Sequence, residues 1–278
     1  VFEGSTQNMS GSVTIHNMIV EAGSVTTISG SNQEISGVLL VQGTLNILDN
    51  LTLLSNANTT ALIDGNSIGI INGKITQQRY IPASKNKGYK QFSSAFSNAS
   101  IGQFGNFMNL VLGGVSNNPF PTLFKYSEAN AIASFADGWI AAAAPGQTNV
   151  LIETGKGYTA QFGQANATPI TTALYGNVNH GNISVPLTFL NPGNSKGNGW
   201  NLVGNPYPSP IDLDKLPFDA AYINKNVSIF ISTSMYYGYY SYYNANTHIA
   251  LNGGNVNVLL GQTYVDQGAT AYDEYFDG

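Results

Sequence analysis

The sequence predicts an all-β protein: a short N-terminal β-helix or solenoid-like region followed by a duplicated antiparallel β-sandwich of jelly-roll type. Three observations predict it. Residues 1–82 break into short runs of alternating apolar and polar residues punctuated by glycine, which is the period of strands. Residues 83–278 carry longer strands in two sets of similar order. Helix is scarce: only 128–135 and 213–221 are suited to a turn or two.

In the first region the runs are 13–15, 18–20, 24–28, 37–41, 44–47, 51–53, 61–63 and 68–70. Three pieces repeat the order strand, glycine turn, strand, around Gly23, Gly43 and Gly73. Gly23 and Gly43 lie 20 residues apart, within the range of a solenoid rung. The spacing afterwards is not constant, so the repeat is degenerate. A short parallel β-helix of a few rungs is one reading and a meandering sheet is the other.

The pattern changes around Arg79-Tyr80-Ile81-Pro82, and Ala83-Ser84-Lys85-Asn86-Lys87-Gly88 is a polar boundary. Beyond it, strands are expected at 89–92, 122–126, 139–144, 150–153 and 158–162, in a unit spanning about 88–180. A second unit over about 181–278 offers 183–189, 200–203, 227–232, 235–243, 256–260 and 263–265. The two sets resemble one antiparallel unit used twice, the pattern of two sheets packed face to face.

The second unit contains Gly199-Trp200-Asn201-Leu202-Val203-Gly204-Asn205-Pro206-Tyr207-Pro208-Ser209-Pro210-Ile211-Asp212. It opens as a strand, since Trp200, Leu202 and Val203 suit a pleated surface. It then turns into a stiff corner. Pro206, Pro208 and Pro210 have no backbone donor and push the residue before each of them into extended geometry.

Composition narrows the function classes. Charged residues make up 9% of the 278, against roughly 25% in ordinary soluble domains, and Arg79 is the only arginine. A surface covered by Asn, Ser, Thr, Gln and Tyr lacks the repulsion that keeps proteins apart, which suits a secreted or self-associating protein. The formal charge of −5 leaves no basic stripe for nucleic acid. No apolar run reaches the ~18 residues of a membrane span, so no transmembrane segment is expected. No signal peptide opens the chain, and Val1-Phe2-Glu3-Gly4 reads as a mature or trimmed start. With no cysteine, disulfides, thiolate nucleophiles and Cys-based zinc sites are excluded.

Two groups of residues are candidates for a site. Tyr237, Tyr239, Tyr240 and Tyr242 fall in a strand rich in tyrosine; alternate rings point to opposite faces. One set fills a core and the other, where exposed, forms a platform for sugar rings or a neighbouring subunit. Asp212, Asp214 and Asp219 are close enough in sequence to supply oxygen ligands to Ca²⁺, though Asp212 and Asp214 equally suit the capping of a short helical turn. No other cofactor is expected. Glu128, Asp137 and Glu153 offer carboxylate pairs of the kind that hydrolyse glycosides, but so does any chain with fifteen acids. His16, His180 and His248 share no ligand-like spacing. No enzyme is expected.

Five motifs in order carry a resemblance: Gly73-Lys74-Ile75-Thr76-Gln77-Gln78-Arg79-Tyr80, Phe92-Ser93-Ser94, Gly155-Lys156-Gly157-Tyr158, Tyr175-Gly176-Asn177-Val178-Asn179 and the proline block from Gly199 to Asp212. Together they resemble a recurrent β-rich module of large surface proteins exported by the type IX secretion system in Bacteroidota. The position after Asp212 is Leu213, where that family usually has tryptophan. The family's C-terminal sorting domain is not found, so the resemblance implies a piece of a longer surface protein.

The function expected is a non-enzymatic, extracellular structural or adhesion module of a cell-surface or filament-forming protein. Its partners would be further copies of itself or other cell-surface proteins. The alternative is a carbohydrate-binding module that attaches a larger secreted protein to polysaccharide. An uncharged edge strand, without the lysines that blunt pairing, favours assembly by strand addition.

Overall fold

The computed structural model describes residues 1–83, 88–113, 120–162, 168–190, 199–216, 223, 226–233, 237–244, 249–251 and 269–271. The chain divides into two compact units, Val1–Ile211 with Ser232–Tyr237, and Asp212–Ile231 with Gly238–Gly278. The described residues are almost entirely strands and irregular chain, with helix limited to short 3₁₀ turns.

The first unit opens as a β-solenoid. Its strands are β1 (Gln7–Met9), β2 (Val13–Ile15), β3 (Met18–Val20), β4 (Val25–Ile28), β5 (Gln33–Ile35), β6 (Val38–Val41), β7 (Thr44–Ile47), β8 (Leu51–Leu53), β9 (Leu62–Ile63), β10 (Ile70–Asn72) and β11 (Ile75–Ile81). They stack in parallel on three faces: β1-β4-β7-β10, β2-β5-β8-β11 and β3-β6-β9. The coil makes about four turns. Of the two readings the sequence left open, the coil is the one observed.

Period-2 alternation drives the winding. Each strand turns one set of side chains inward, and Val20, Ile28, Ile35, Leu39, Leu45, Leu53 and Ile75 fill a continuous apolar interior. Thr26 and Gln33 are polar exceptions without partners, unlike buried Ser24 and Ser55, which are hydrogen-bonded. The Thr26 hydroxyl and the Gln33 amide are fully buried, at a cost of about 1–3 kcal/mol each. Outside, neutral side chains bond across successive turns. Asn72 Nδ2 donates to Asn46 Oδ1 at 2.9 Å and Thr76 Oγ1 donates to Asn50 Oδ1 at 3.0 Å. Polar ladders thus serve where charges are few.

The irregular spacing has a local cause. Partners on adjacent turns are 19 residues apart at Gly30 and Asp49 but 26 apart at Asn46 and Asn72. The extra length lies between β8 and β10. There Ser55 and Thr60 close a small loop by a bridge and a 2.7 Å hydroxyl pair, and a further turn covers 64–67. Gly23 and Gly43 lie at one corner of the coil, between the β3-β6-β9 and β1-β4-β7-β10 faces. Gly73 sits at a different corner, between β10 and β11, and Gly69 is the true successor of Gly43. A Cβ on Gly43 would fall on the carbonyl oxygens of Glu21 and Ser24, and one on Gly69 would fall on that of Gly43.

The rest of the first unit comprises β12 (Tyr89–Phe92), β13 (Leu123–Tyr126), β14 (Trp139–Ala141), β15 (Tyr158–Gln161) and β16 (Ile170–Gly176). Four of them form an antiparallel sheet in the order β12-β15-β13-β14. Phe92, Phe104, Phe107 and Phe162 pack together, with ring centroids 5.4–6.4 Å apart. Strand β16 pairs antiparallel with β11 along all seven residues. A Gln103 side chain accepts from the Tyr175 N–H at 2.9 Å and donates to its carbonyl at 3.0 Å, which occupies the outer edge of β16 at that residue.

Several expected strands meet a different structure. The 183–189 segment forms no strand, 150–153 contributes only a bridge from Leu151 to Ser100 and 200–203 only one from Val203 to Lys156, and the strand expected at 68–70 lies at Ile70–Asn72. The turn or two expected at 128–135 is present as 3₁₀ turns at Glu128–Asn130 and Phe135–Gly138. Of the turn or two expected at 213–221, Leu213–Lys215 is a 3₁₀ turn and 217–221 lie outside the described residues. The expected strands 256–260 and 263–265 lie outside the described residues.

The second unit contains β17 (Asn226–Ser232) up to Ile231 and β18 (Gly238–Asn244), paired in a two-stranded sheet, and β19 (Ile249–Leu251), antiparallel to β20 (Ala269–Ala271).

The corner contact gives a direct test. Gly43→Ala should cost about 2–3 kcal/mol in urea unfolding. Gly65→Ala, whose added Cβ meets nothing within 4 Å, should stay within about 0.5 kcal/mol.

Candidate functional site

The proline block is where the first unit is tied together. The chain enters it beside 155–157, with Gly157 N–H donating to the Leu202 carbonyl and Gly204 N–H to the Gly155 carbonyl, each at 3.0 Å. Asn205 then folds the corner. Its Oδ1 accepts from the Tyr207 N–H at 2.9 Å and its Nδ2 donates to the Ser209 carbonyl at 2.6 Å. Successive carbonyls point to different parts of the unit. Asn205 accepts from Ser93 Oγ at 2.7 Å, Pro206 from buried Asn179 Nδ2 at 3.0 Å, and Pro208 from the Ile63 N–H at 3.3 Å. Pro206 and Pro208 are buried, and a residue without an N–H leaves no donor to satisfy there.

Beside the corner is a cleft of about 540 Å³ between residues 63–71 of the solenoid, 178–182 and 207–211. Tyr207 stands in its wall, with its hydroxyl donated to the Gly181 carbonyl at 2.7 Å. Asp64 and His180 also line it.

The tyrosine strand is β18. Phe230 and Tyr240 meet edge to face, with centroids 5.2 Å apart, so they share one face of the hairpin. Alternation therefore places Ile229, Ile231 and Tyr239 on the opposite face. These three are 49%, 40% and 55% exposed. Tyr237 is 76% exposed, and its carbonyl accepts from the Thr233 N–H at 2.8 Å. The backbone of Tyr242 continues β18.

The aspartates are placed as follows. Asp212 forms an exposed ion pair with Lys215 at 3.0 Å, and the backbone of Asp214 lies in the Leu213–Lys215 turn. Asp219 lies outside the described residues. Among the described residues no group of three or more His, Asp or Glu side chains is placed to hold a metal ion. No described helix is long and apolar enough to cross a membrane.

A family described as a domain of unknown function (DUF8693) matches residues 3–275. The chain belongs to that family. No curated protein and no solved structure matches it.

Within this DUF8693 chain, sequence reasoning missed two features. One is an aromatic series in the first unit: Trp139 meets Tyr126 at 5.2 Å, Tyr126 meets Phe135 at 5.1 Å and Phe135 meets Trp200 at 5.4 Å. Trp200 thus joins an aromatic series while 39% exposed.

The other is Glu128. Its side chain is buried at 4% exposure, and Oε1 accepts from the N–H groups of Gly199 at 2.6 Å and Leu190 at 3.0 Å. A single carboxylate oxygen thus gathers both ends of the 190–199 connection. Burial works against its charge, but the donors from Gly199, Thr188 and Leu190 outweigh it, and its pKa is held below the ordinary 4.5. A carboxylate committed in this way is a structural clamp.

The clamp sets a pH dependence. A carboxyl whose pKa falls on folding stabilises the fold fully above its unfolded value, and that gain is lost as the pH drops through the lower folded value. Wild type should therefore lose stability as the pH falls below 4.5. Glu128→Gln should already be weaker at pH 7, by about 1.5–3 kcal/mol, with a flatter profile in acid. Urea titrations of both proteins from neutral to acid pH measure the difference.

Proposed function

We propose that the chain is a non-enzymatic structural or adhesion module of an extracellular, cell-surface or filament-forming protein, in line with the type IX export resemblance. The observation that carries the reading is the hairpin face of Ile229, Ile231 and Tyr239, open on one side and backed by the Phe230–Tyr240 pair. Three large apolar side chains at 40–55% exposure on one face of a two-stranded sheet form a contact surface rather than scattered exposed residues. The low charge of the chain removes the repulsion that would oppose association of such faces. The second half of the chain, in this reading, adds antiparallel strands related to those of the first, as a duplicated sandwich would.

The test is the size distribution of the purified chain over a wide concentration range, by light scattering and negative-stain imaging. Wild type should form oligomers or filaments, and Ile231→Asp or Tyr239→Asp should return it to monomer without lowering its melting temperature by more than a few degrees. A strictly monomeric wild type at every concentration sinks the self-assembly reading. Binding of polysaccharide that is lost in Tyr237→Ala and Tyr239→Ala would move the tyrosines to the carbohydrate-binding alternative.

A further inference from the structure

The cleft beside the proline corner carries a second inference, independent of the hairpin. Its volume of about 540 Å³ falls in the range of small-molecule sites, roughly 300–1,000 Å³. Its walls come from three segments distant in sequence, all within the first unit.

The lining has two chemistries. Ile68, Ile71 and the ring of Tyr207 supply apolar surface, and Ile68 is 83% exposed. Tyr207 is also fixed in advance, since its N–H is bonded to Asn205 Oδ1 and its hydroxyl to the Gly181 carbonyl. A ring held before the ligand arrives pays little ordering entropy on binding. The polar side is Asp64, His180 and Asn182. Asp64 Oδ1 is taken by the backbone N–H of Asn66 at 2.8 Å and its amide at 2.9 Å, while Oδ2 is left to accept from a ligand. Among the described residues no lysine or arginine lines the cleft, so none of them compensates an anion against the Asp64 carboxylate.

A ligand that matches must combine an apolar face with several hydroxyl donors and carry no negative charge. We propose that the cleft binds the end of a neutral glycan, a mono- or disaccharide unit, with the C–H face of the sugar on Tyr207 and Ile68 and its hydroxyls on Asp64, His180 and Asn182. Aromatic rings with one polar edge suit such amphipathic partners, and a hydroxyl donated to an ionised carboxylate is among the stronger neutral-ligand hydrogen bonds.

The experiment is saturation-transfer NMR and calorimetry on the full chain with maltose, cellobiose, lactose, N-acetylglucosamine and glucuronic acid, each at about 10 mM, well above the weak affinities of small ligands. At least one neutral sugar should bind, and glucuronic acid should bind more weakly than any that does. Asp64→Asn, which keeps the acceptor of the Asn66 turn, and Ile68→Ser, at an exposed position, should each weaken binding about ten-fold while leaving the melting temperature close to wild type. Tyr239→Ala should leave binding unchanged. The proposal is overturned if no neutral sugar binds, if glucuronic acid binds best, or if Asp64→Asn and Ile68→Ser bind as wild type. Loss of binding in Tyr239→Ala, with the cleft variants intact, would place the sugar on the hairpin and overturn it equally. None of these outcomes depends on whether the chain assembles.

Discussion

The first unit depends on one short run of backbone carbonyls, those of Asn205, Pro206 and Pro208. Each is claimed by a different part of the unit: Ser93 after β12, Asn179 after β16, and Ile63 in the last strand of one solenoid face. Proline makes this possible for a physical reason. It fixes the chain in an extended course, so the direction of each carbonyl is set before folding, and it brings no N–H that would need a partner in a buried corner. Asn205 adds the bend by accepting and donating with one side chain. The solenoid and the antiparallel sheet share no long ladder at this point, so these few acceptors join them.

A chain with so few charges has to satisfy its surface by other means. Two ion pairs occur among the described residues, both partly or wholly solvated, and such pairs contribute little. In their place stand side-chain ladders on the outside of the coil and neutral side chain-to-backbone bonds elsewhere in the unit, such as Gln103 on Tyr175 and Asn179 on Pro206. Neutral hydrogen bonds are directional and short-ranged, so they fix geometry locally without setting up a field that repels a second molecule. The same chemistry leaves the described hairpin strands without a charged residue and the cleft with Asp64 as the one carboxylate among its lining residues.

The solenoid was legible because its strands alternate with period 2 and its corners need glycine. Gly23 and Gly43 mark one corner, and their spacing matched a turn. Gly73 misled, since it marks another corner; the loop at 54–61 and the turn at 64–67 lengthen the third turn and hide that Gly69 is the equivalent position. Strand β16 was not legible. Its sequence, Ile170-Thr-Thr-Ala-Leu-Tyr-Gly176, has few large apolar residues, and its stability comes from pairing with β11, a partner nearly a hundred residues earlier. The proline corner could be seen to be stiff, but sequence gives no sign of which groups its carbonyls would meet. Glu128 looked like one of fifteen scattered acids for the same reason, since its donors are backbone amides. The alternation of Tyr239 and Tyr240 was readable from spacing alone, whereas the cleft draws on three segments that nothing in the sequence links.

The placement of Pro208 has one more consequence. Ile63 lies in β9, the last strand of its face, and its N–H is turned to where another turn of the coil would pair. Pro208 fills that position with an acceptor and no donor, so the ladder has nothing to continue onto. On the neighbouring face β16 runs against β11 in the opposite direction, which likewise halts parallel stacking. The end of the coil is thus set by a terminator that reads only its final turn. Turns added or removed upstream would present the same last strands to it, so the length of the coil is decoupled from the way it is closed.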